Sequence, residues 1–232
     1  MTTHTQTDTP TLADEISWQP LSPILPKHIK GFYCTLAPLD AERHLDDLYH
    51  ALCEQSNQDG WTYLAYGPFE HKADFGQWLS DVAAGNHPLF YAICDLSGRA
   101  LGLVAYLAIS LEHGSIEIGH VHFGHPMRRS RISTEAIYLM INQAFNLGFR
   151  RCEWKCDSMN QASAKSALRF GFQYEGLFRQ HRVNRGRNRD TKWFSIIDGE
   201  WPVLQKRYLN WLNPKNFNDS GVQIEALNIA ND

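Results

Sequence analysis

Apolar positions along this chain follow two periods, and the switches between them predict most of the fold. The clearest run is Ser115-Ile-Glu-Ile-Gly-His-Val-His-Phe123, β-branched and alternating, which predicts a strand. Pro126 breaks it, and a short basic turn follows, Arg128-Arg129-Ser130-Arg131-Ile132-Ser133. From about Thr134 the apolar residues Ile137, Met140, Ile141, Ala144 and Phe145 recur at helical spacing, until Gly148 stops the helix. The stretch 150–156, Arg-Arg-Cys-Glu-Trp-Lys-Cys, reads as the next strand. A helix N-terminus carries free amide N–H groups and the positive end of the helix dipole. Three arginines in the turn before it make a candidate anion site.

The remaining pattern extends this unit on both sides. Residues 1–25 are rich in Thr and Pro and are expected as an arm, with Trp18 and Leu21 available to dock. A short strand is expected over 31–36, and a helix opening at Pro38 and Asp40 carries Leu45, Leu48, Tyr49 and Leu52. The aromatic stretch 61–68 reads as a loop or short helix. A second helix presents Phe75, Trp78, Leu79 and Val82, and Gly85-Asn86 ends it. Strands 89–94 and 100–109 flank the turn Asp95-Leu-Ser-Gly98, a hairpin signal. Asn160 opens another helix that closes at Phe170-Gly171. Strands 174–183 and 191–197 enclose a polar, basic loop 184–190. A last helix over about 201–212 carries Trp201, Leu204, Tyr208 and Trp211, with a tail from Pro214 onward. The order β α α β β β α β α β β α is that of one mixed α/β domain, spanning 26–213.

Composition narrows the chemistry. Lys and Arg number 22 against 25 Asp and Glu, a net charge of −3, so the arginines of 128–131 and 182–189 are local features and nucleic acid is not an expected partner. Five cysteines without framework spacing indicate free thiols and a reducing compartment. Cys152 and Cys156 share one face of their strand, which reads as core packing, and no metal site is expected. No run of about 18 apolar residues is present, so no membrane span is expected. The N-terminal residues lack a basic stretch ahead of an apolar core, so no secretory signal is expected. The expected location is cytoplasmic.

Four pieces in this order carry a resemblance. They are Gly119-His-Val-His-Phe-Gly-His-Pro126 leading to Ser133-Thr-Glu-Ala136, then Leu147-Gly-Phe-Arg-Arg-Cys-Glu-Trp154. Asn160-Gln-Ala-Ser163 with Phe170-Gly-Phe172 and Glu175-Gly176 is the third, and Arg187-Asn-Arg-Asp190 before Trp193-Phe-Ser195 the fourth. Together they resemble the GNAT acetyltransferase superfamily, within it the RimJ/RimL-like branch, over roughly residues 31–215. The resemblance implies a central, mostly antiparallel twisted sheet, splayed between two parallel strands and flanked by helices. The splayed pair here is 115–123 and 150–156. It implies acetyl-CoA as cosubstrate and transfer of the acetyl group to a primary amine, a protein N-terminus or a small molecule, by direct attack in a ternary complex. It assigns the CoA pyrophosphate to the turn Arg128, Arg129, Ser130, Arg131, Ile132, Ser133 and Thr134. Asn160, with Ser163 as a weaker candidate, falls beside the pantetheine arm. Pyrophosphate needs several donors in a concave site, and this turn offers amides, hydroxyls and guanidinium groups. The bland alternatives are a solvated turn for the arginines and a plain N-cap for Asn160.

Two departures matter. The superfamily's phosphate loop bears glycine, which permits close backbone approach to phosphate, and this turn has none. The tyrosine that many members place in the helix after the asparagine is replaced by Ala167. These keep a second reading open, a non-catalytic CoA-binding or scaffold protein of the same fold. Transfer also needs a base on the amine side, and the 115–123 strand offers Glu117, His120 and His122. Alternation puts both histidines on the face of Ile116 and Ile118, with Glu117 opposite, unless a bulge after Gly119 disturbs the parity. Packing within the sheet is the alternative for each. The arginines between 182 and 190 would favour an acidic or carboxylate-bearing acceptor if they face it, and Trp61, Tyr63 and Tyr66 either line the acceptor groove or pack as core. Sheets of this type pair through edges or helices, which leaves a homodimer open.

Overall fold

The computed structural model describes residues 13, 15–23, 25–55 and 58–227. Eight strands form one sheet: β1 Ile29–Lys30, β2 Thr35–Pro38, β3 Leu89–Cys94, β4 Ala100–Ser110, β5 Ser115–Phe123, β6 Arg151–Asp157, β7 Gln173–Asn184 and β8 Arg187–Ile197. Their order across the sheet is β1-β2-β3-β4-β5-β6-β8-β7. Every pairing is antiparallel except β5 with β6. Five helices flank it: α1 Ala41–Tyr49, which runs on through a π-helical turn His50–Glu54, α2 Lys72–Ala84, α3 Arg131–Asn146, α4 Gln161–Arg169 and α5 Trp201–Leu212.

The two faces of the sheet carry separate cores. On one, Val104, Tyr106, Ile116, Ile118 and Cys152 pack against α3 residues such as Ile137 and Ile141 and against Trp201 and Tyr208 of α5. On the other, Ala92, Leu103 and Ala105 meet Leu48 of α1, Phe75 and Leu79 of α2, and Trp61. The predicted mixed α/β sheet with one parallel pair is therefore the observed fold. Asp40 caps α1, accepting from the Arg43 amide at 2.9 Å.

Three predicted boundaries are corrected, and a bulge settles the histidine parity. The strand expected over 31–36 is split into β1 and β2 by the loop 31–34. Helix α3 opens at Arg131, not Thr134, because Ser130 is its N-cap and Arg131-Ile-Ser133 form its first turn. The basic loop expected over 184–190 is strand except for a two-residue turn. Arg185 and Gly186 take φ of 50° and 71°, the positive values of a tight hairpin. On β5, residues 119 to 122 oppose 105 to 103 of β4, one residue too many, and His120 takes φ of 50°. This bulge reverses the parity: His120 and His122 lie on the same face as Glu117, away from Ile116 and Ile118.

Within the expected arm, residues 1–12, 14 and 24 lie outside the described residues. Leu21 donates its amide to Leu111 O at 2.9 Å, and Trp18 donates Nε1 to Glu112 O at 2.7 Å. Trp18 needs Gly114, since a Cβ there would stand 2.3 Å from the indole and φ is +65°. Past Pro214 the chain stays docked: the Phe217 ring meets Trp211 edge-on at 5.1 Å, and Leu227 is buried.

Candidate active site

Strands β5 and β6 are in register at only three positions, Ser115 with Arg151, Ile116 with Cys152 and Glu117 with Glu153. Beyond Glu117 they part. The fork opens a cleft of about 210 Å³ whose walls include 118–121 of β5 and 154–157 of β6, and which is also lined by Asn160 and Ser163 and by His181, Arg182, Arg189 and Thr191. Backbone groups of β5 that would otherwise pair with β6 line this space, a feature of main chain that leaves no side-chain signature.

Glu117 sits at the crotch of the fork and is 8% exposed. Burial pushes its carboxyl above the usual range, and Lys155 pulls the other way. The Lys155 ammonium donates to Glu117 Oε2 and lies within 2.8 Å of Glu153 Oε2, with its charge 3.8 Å over the Trp193 ring. The chain of charges continues outward through Arg151, which reaches Glu153 at 2.8 Å and grips Glu175 with both terminal nitrogens. Lys155 and Glu153 did not stand out in the sequence, although the strand alternation carried the signal. Cys152, Trp154 and Cys156 take one face, so Glu153 and Lys155 must take the other.

The two histidines separate. His120 lines the cleft, its Nδ1 2.9 Å from the Tyr66 hydroxyl and its ring parallel to the tyrosine. His122 is not a cleft residue: it is 4% exposed, with Trp61 edge-on at 4.2 Å and Gly60 against Nε2, and neither ring nitrogen has a hydrogen-bond partner. Burial lowers both to about 4, helped by Arg189 at His120 and by Arg128 at His122. Both rings are neutral at pH 7. Of the aromatics weighed, Trp61 is core, Tyr66 holds His120, and Tyr63 lines the cleft while donating its hydroxyl to Met159 O at 3.1 Å.

The predicted phosphate turn divides as well. Ser130 Oγ accepts from the Ser133 amide and donates to Met127 O, Ser133 Oγ donates to Ser130 O, and Thr134 is buried, accepting from Arg169. Those hydroxyls belong to the cap. Arg131 lies over the rings of Tyr33 and Phe217 at 4.8 and 5.5 Å. Arg128 is exposed but donates Nε to Phe123 O at 3.0 Å, while exposed Arg129 stands beside the first-turn amides of Arg131 and Ile132, which have no carbonyl one turn back in the helix. Arg129 takes φ of 57°, so the left-handed step that glycine usually supplies is made here by arginine. The donor set still fits a pyrophosphate, through backbone and guanidinium rather than hydroxyl.

Asn160 caps α4, its Oδ1 accepting from the Ser163 amide at 3.0 Å, and Ser163 Oγ accepts from Trp154 Nε1 at 3.0 Å. Both still line the cleft. Ala167 is fully buried, so the position where many relatives carry a tyrosine is core here. Among the described residues no cluster of His, Cys, Asp or Glu is arranged to hold a metal, and no helix is long and apolar enough to cross a membrane.

Comparison with known proteins agrees with this geometry. Residues 34–173 match the family model of the acetyltransferase (GNAT) domain. A GCN5-related N-acetyltransferase from Brucella melitensis superposes with a TM-score of 0.86 at 40% identity, covering 91% of this chain and 96% of that one. The uncharacterized N-acetyltransferase p20 of Bacillus licheniformis is 28% identical over 156 residues, which is 65% of this chain and 87% of p20. The microcin C7 self-immunity acetyltransferase MccE, whose structure holds acetyl-CoA and AMP, shares the fold at 22% identity and a TM-score of 0.62, over 72% of this chain and 93% of that one.

Proposed function

This chain belongs to the GNAT acetyltransferase family of acyl-CoA-dependent acyltransferases, and from that premise we propose that it moves an acetyl group from acetyl-CoA to a primary amine in a ternary complex, with Glu117 as the base. One observation carries the assignment: a buried carboxylate stands at the point where β5 and β6 stop pairing and lines the cleft together with the backbone stretches 118–121 and 154–157.

The cosubstrate supplies a thioester whose carbonyl carbon accepts the amine while the C–S bond breaks and the thiolate leaves. The chain's own groups do the rest. Glu117 takes the proton from the acceptor ammonium, directly or through one water, and burial raises its affinity for protons, which suits that task. Lys155, donating to Glu117 Oε2 at 2.8 Å, opposes that shift. A main-chain N–H of 118–121 polarises the carbonyl from a fixed direction. Arg128, Arg129 and the opening amides of α3 hold the pyrophosphate, and Asn160 and Ser163 border the pantetheine arm. His120, its Nδ1 held by the Tyr66 hydroxyl, shapes the wall and is given no part in the proton transfer. Ala167 cannot give the departing sulfur a proton, so the thiolate leaves unaided or takes its proton from water.

The test is release of CoA thiol from acetyl-CoA with and without a panel of primary amines, next to thermal unfolding with acetyl-CoA, CoA and ATP. Amine-dependent thiol release is expected. So is a shift with both CoA species, since a ligand at 100 times its dissociation constant adds roughly 2.7 kcal/mol. A shift without thiol release for any amine would leave a CoA-binding protein that is not an enzyme. Absence of both would end the reading.

A further inference from the structure

We infer that the end of the cleft formed by Arg182, Arg189 and Thr191 is a carboxylate subsite, and that the acceptor is a small amine bearing a carboxylate, of the amino-acid type. The inference deepens the acetyl-transfer reading and rests on it for the reacting amine.

Three observations converge. The first is a set of buried polar atoms without partners. Thr191 is 1% exposed and lines the cleft, and its hydroxyl oxygen has no hydrogen-bond partner. Arg189 Nε and His181 Nδ1 on the same wall are buried and equally unpartnered. Buried polar groups in a folded chain are nearly always paired, so a cluster of orphans in a cleft marks the place of a ligand. The second is charge. Among the described residues neither Arg182 nor Arg189 forms an ion pair with a carboxylate, whereas Lys155 is held by two. Of the three cations that line the cleft, Lys155 is satisfied by Glu117 and Glu153, which leaves Arg182 and Arg189 as the guanidinium groups without a carboxylate partner. The third is how the wall is made. Strand β7 carries two extra residues between Phe178 and Arg182, with Gln180 at φ of 50° and its amide on Asp190 Oδ1 at 2.7 Å. Arg182 and Arg189 are paired residues of β7 and β8 just beyond that bulge. Arg182 acts on Glu117 and Arg189 on His120, so both guanidinium groups lie within electrostatic reach of the proposed base and its neighbour.

The cover over the cleft sets the size of the acceptor. The segment 58–68 is tied down on two sides, by Tyr63 to Met159 O and by Arg185, which donates Nη2 to Tyr66 O at 2.7 Å. These ties narrow the way to Arg182, Arg189 and Thr191, which favours a small free amine over a terminus carried on a folded protein.

The experiment compares the common L-amino acids with their primary amides as acceptors, for the intact chain and for Arg189→Met, Arg182→Met and Thr191→Val. The readout is the ratio of kcat/KM for acid over amide. The acceptor's own basicity cancels when that ratio is compared between variants. The ratio should fall roughly 10- to 100-fold in either arginine variant, the size of a lost charge-assisted bond. In parallel, N-acetyl amino acids and their amides are titrated calorimetrically into the CoA-loaded protein. Tighter binding of the acids, lost with Arg189→Met, supports the subsite even if no amine is turned over and the transferase reading falls. An unchanged ratio, or equal losses for acid and amide, overturns it. So does stronger competition by inorganic phosphate than by acetate, which would assign the wall to a phosphate.

Discussion

The loop 31–34 against α3 and the far end of the cleft treat buried polar groups in opposite ways. Glu135 is 3% exposed, yet its carboxylate accepts from three successive main-chain amides, Phe32, Tyr33 and Cys34, at 2.7 to 2.8 Å. Every donor in that nest has its acceptor, and Gly31 beside it has no room for a Cβ. In the cleft, Thr191 Oγ1 and Arg189 Nε are just as inaccessible and have no partner. The contrast teaches how to read this molecule. Around Glu135 the chain supplies both halves of each bond. At Thr191 and Arg189 one half is missing beside an open cleft, which sets them apart from an orphan sealed in the core such as His122.

The sharpest way to break that comparison is to remove one group from each side. Glu135→Ala strands three amides and should cost about 4 kcal/mol or prevent folding, since each bond to a charged group is worth roughly 1.5–3 kcal/mol. Glu135→Gln, which keeps part of the contact, should lose about 2 kcal/mol on the same scale. Thr191→Val loses no bond and should unfold in urea within about 0.5 kcal/mol of the parent. Equal losses in the two variants would erase the distinction.

Next in size is Glu117. Glu117→Gln should lower kcat roughly 10²- to 10⁴-fold, the range of a removed base, with little change in urea stability. Its raised pKa means that activity falls as pH drops through that value. Lys155 opposes the shift, so Lys155→Met should push the acid limb to higher pH. An acid limb that stays in place in that variant would detach Glu117 from proton transfer.

How much of this was legible depends on whether the cause was local. The sheet, the helices and the fork followed from period and punctuation, because Pro126, Gly148 and Asn160 act on their own neighbours. The α3 start was missed by three residues because Arg131-Ile-Ser133 looks like a basic turn until Ser130 is seen to cap it. The histidine parity turned on whether a bulge follows Gly119; alternation alone puts both histidines with Ile116 and Ile118, and the bulge at His120 puts them with Glu117. Glu135 reads as an ordinary helix position, since its partners lie about a hundred residues away. Thr191 and Arg189 were readable as a basic segment, but their lack of partners exists only in three dimensions.

A smaller effect, roughly 3 kcal/mol at most per ring, belongs to the histidines. Their folded-state pKa values of about 4 lie below the unfolded value near 6.5. Between those limits the unfolded chain binds more protons, so stability is lost as pH falls from about 6.5 toward 4 and is level above. His122→Leu should flatten that slope while leaving pH 7 stability nearly intact, because the ring it removes has no hydrogen bonds to lose. A slope unchanged by this substitution would place the acid sensitivity elsewhere.

The smallest effect separates frame from site within one residue. Arg129 holds φ of 57° on the turn that opens α3, a conformation costing roughly 1–2 kcal/mol for a residue with a Cβ. Glycine removes that strain but adds freedom to the unfolded chain, so Arg129→Gly should gain about 0.5 kcal/mol in urea. The same substitution deletes an exposed guanidinium from the proposed pyrophosphate site, so the thermal shift with CoA should shrink. Opposite signs from one substitution are the signature of a residue kept for its ligand against the preference of its own backbone. A loss of stability together with an undiminished CoA shift would make Arg129 part of the frame, and would move the pyrophosphate contact to Arg128 and the helix amides.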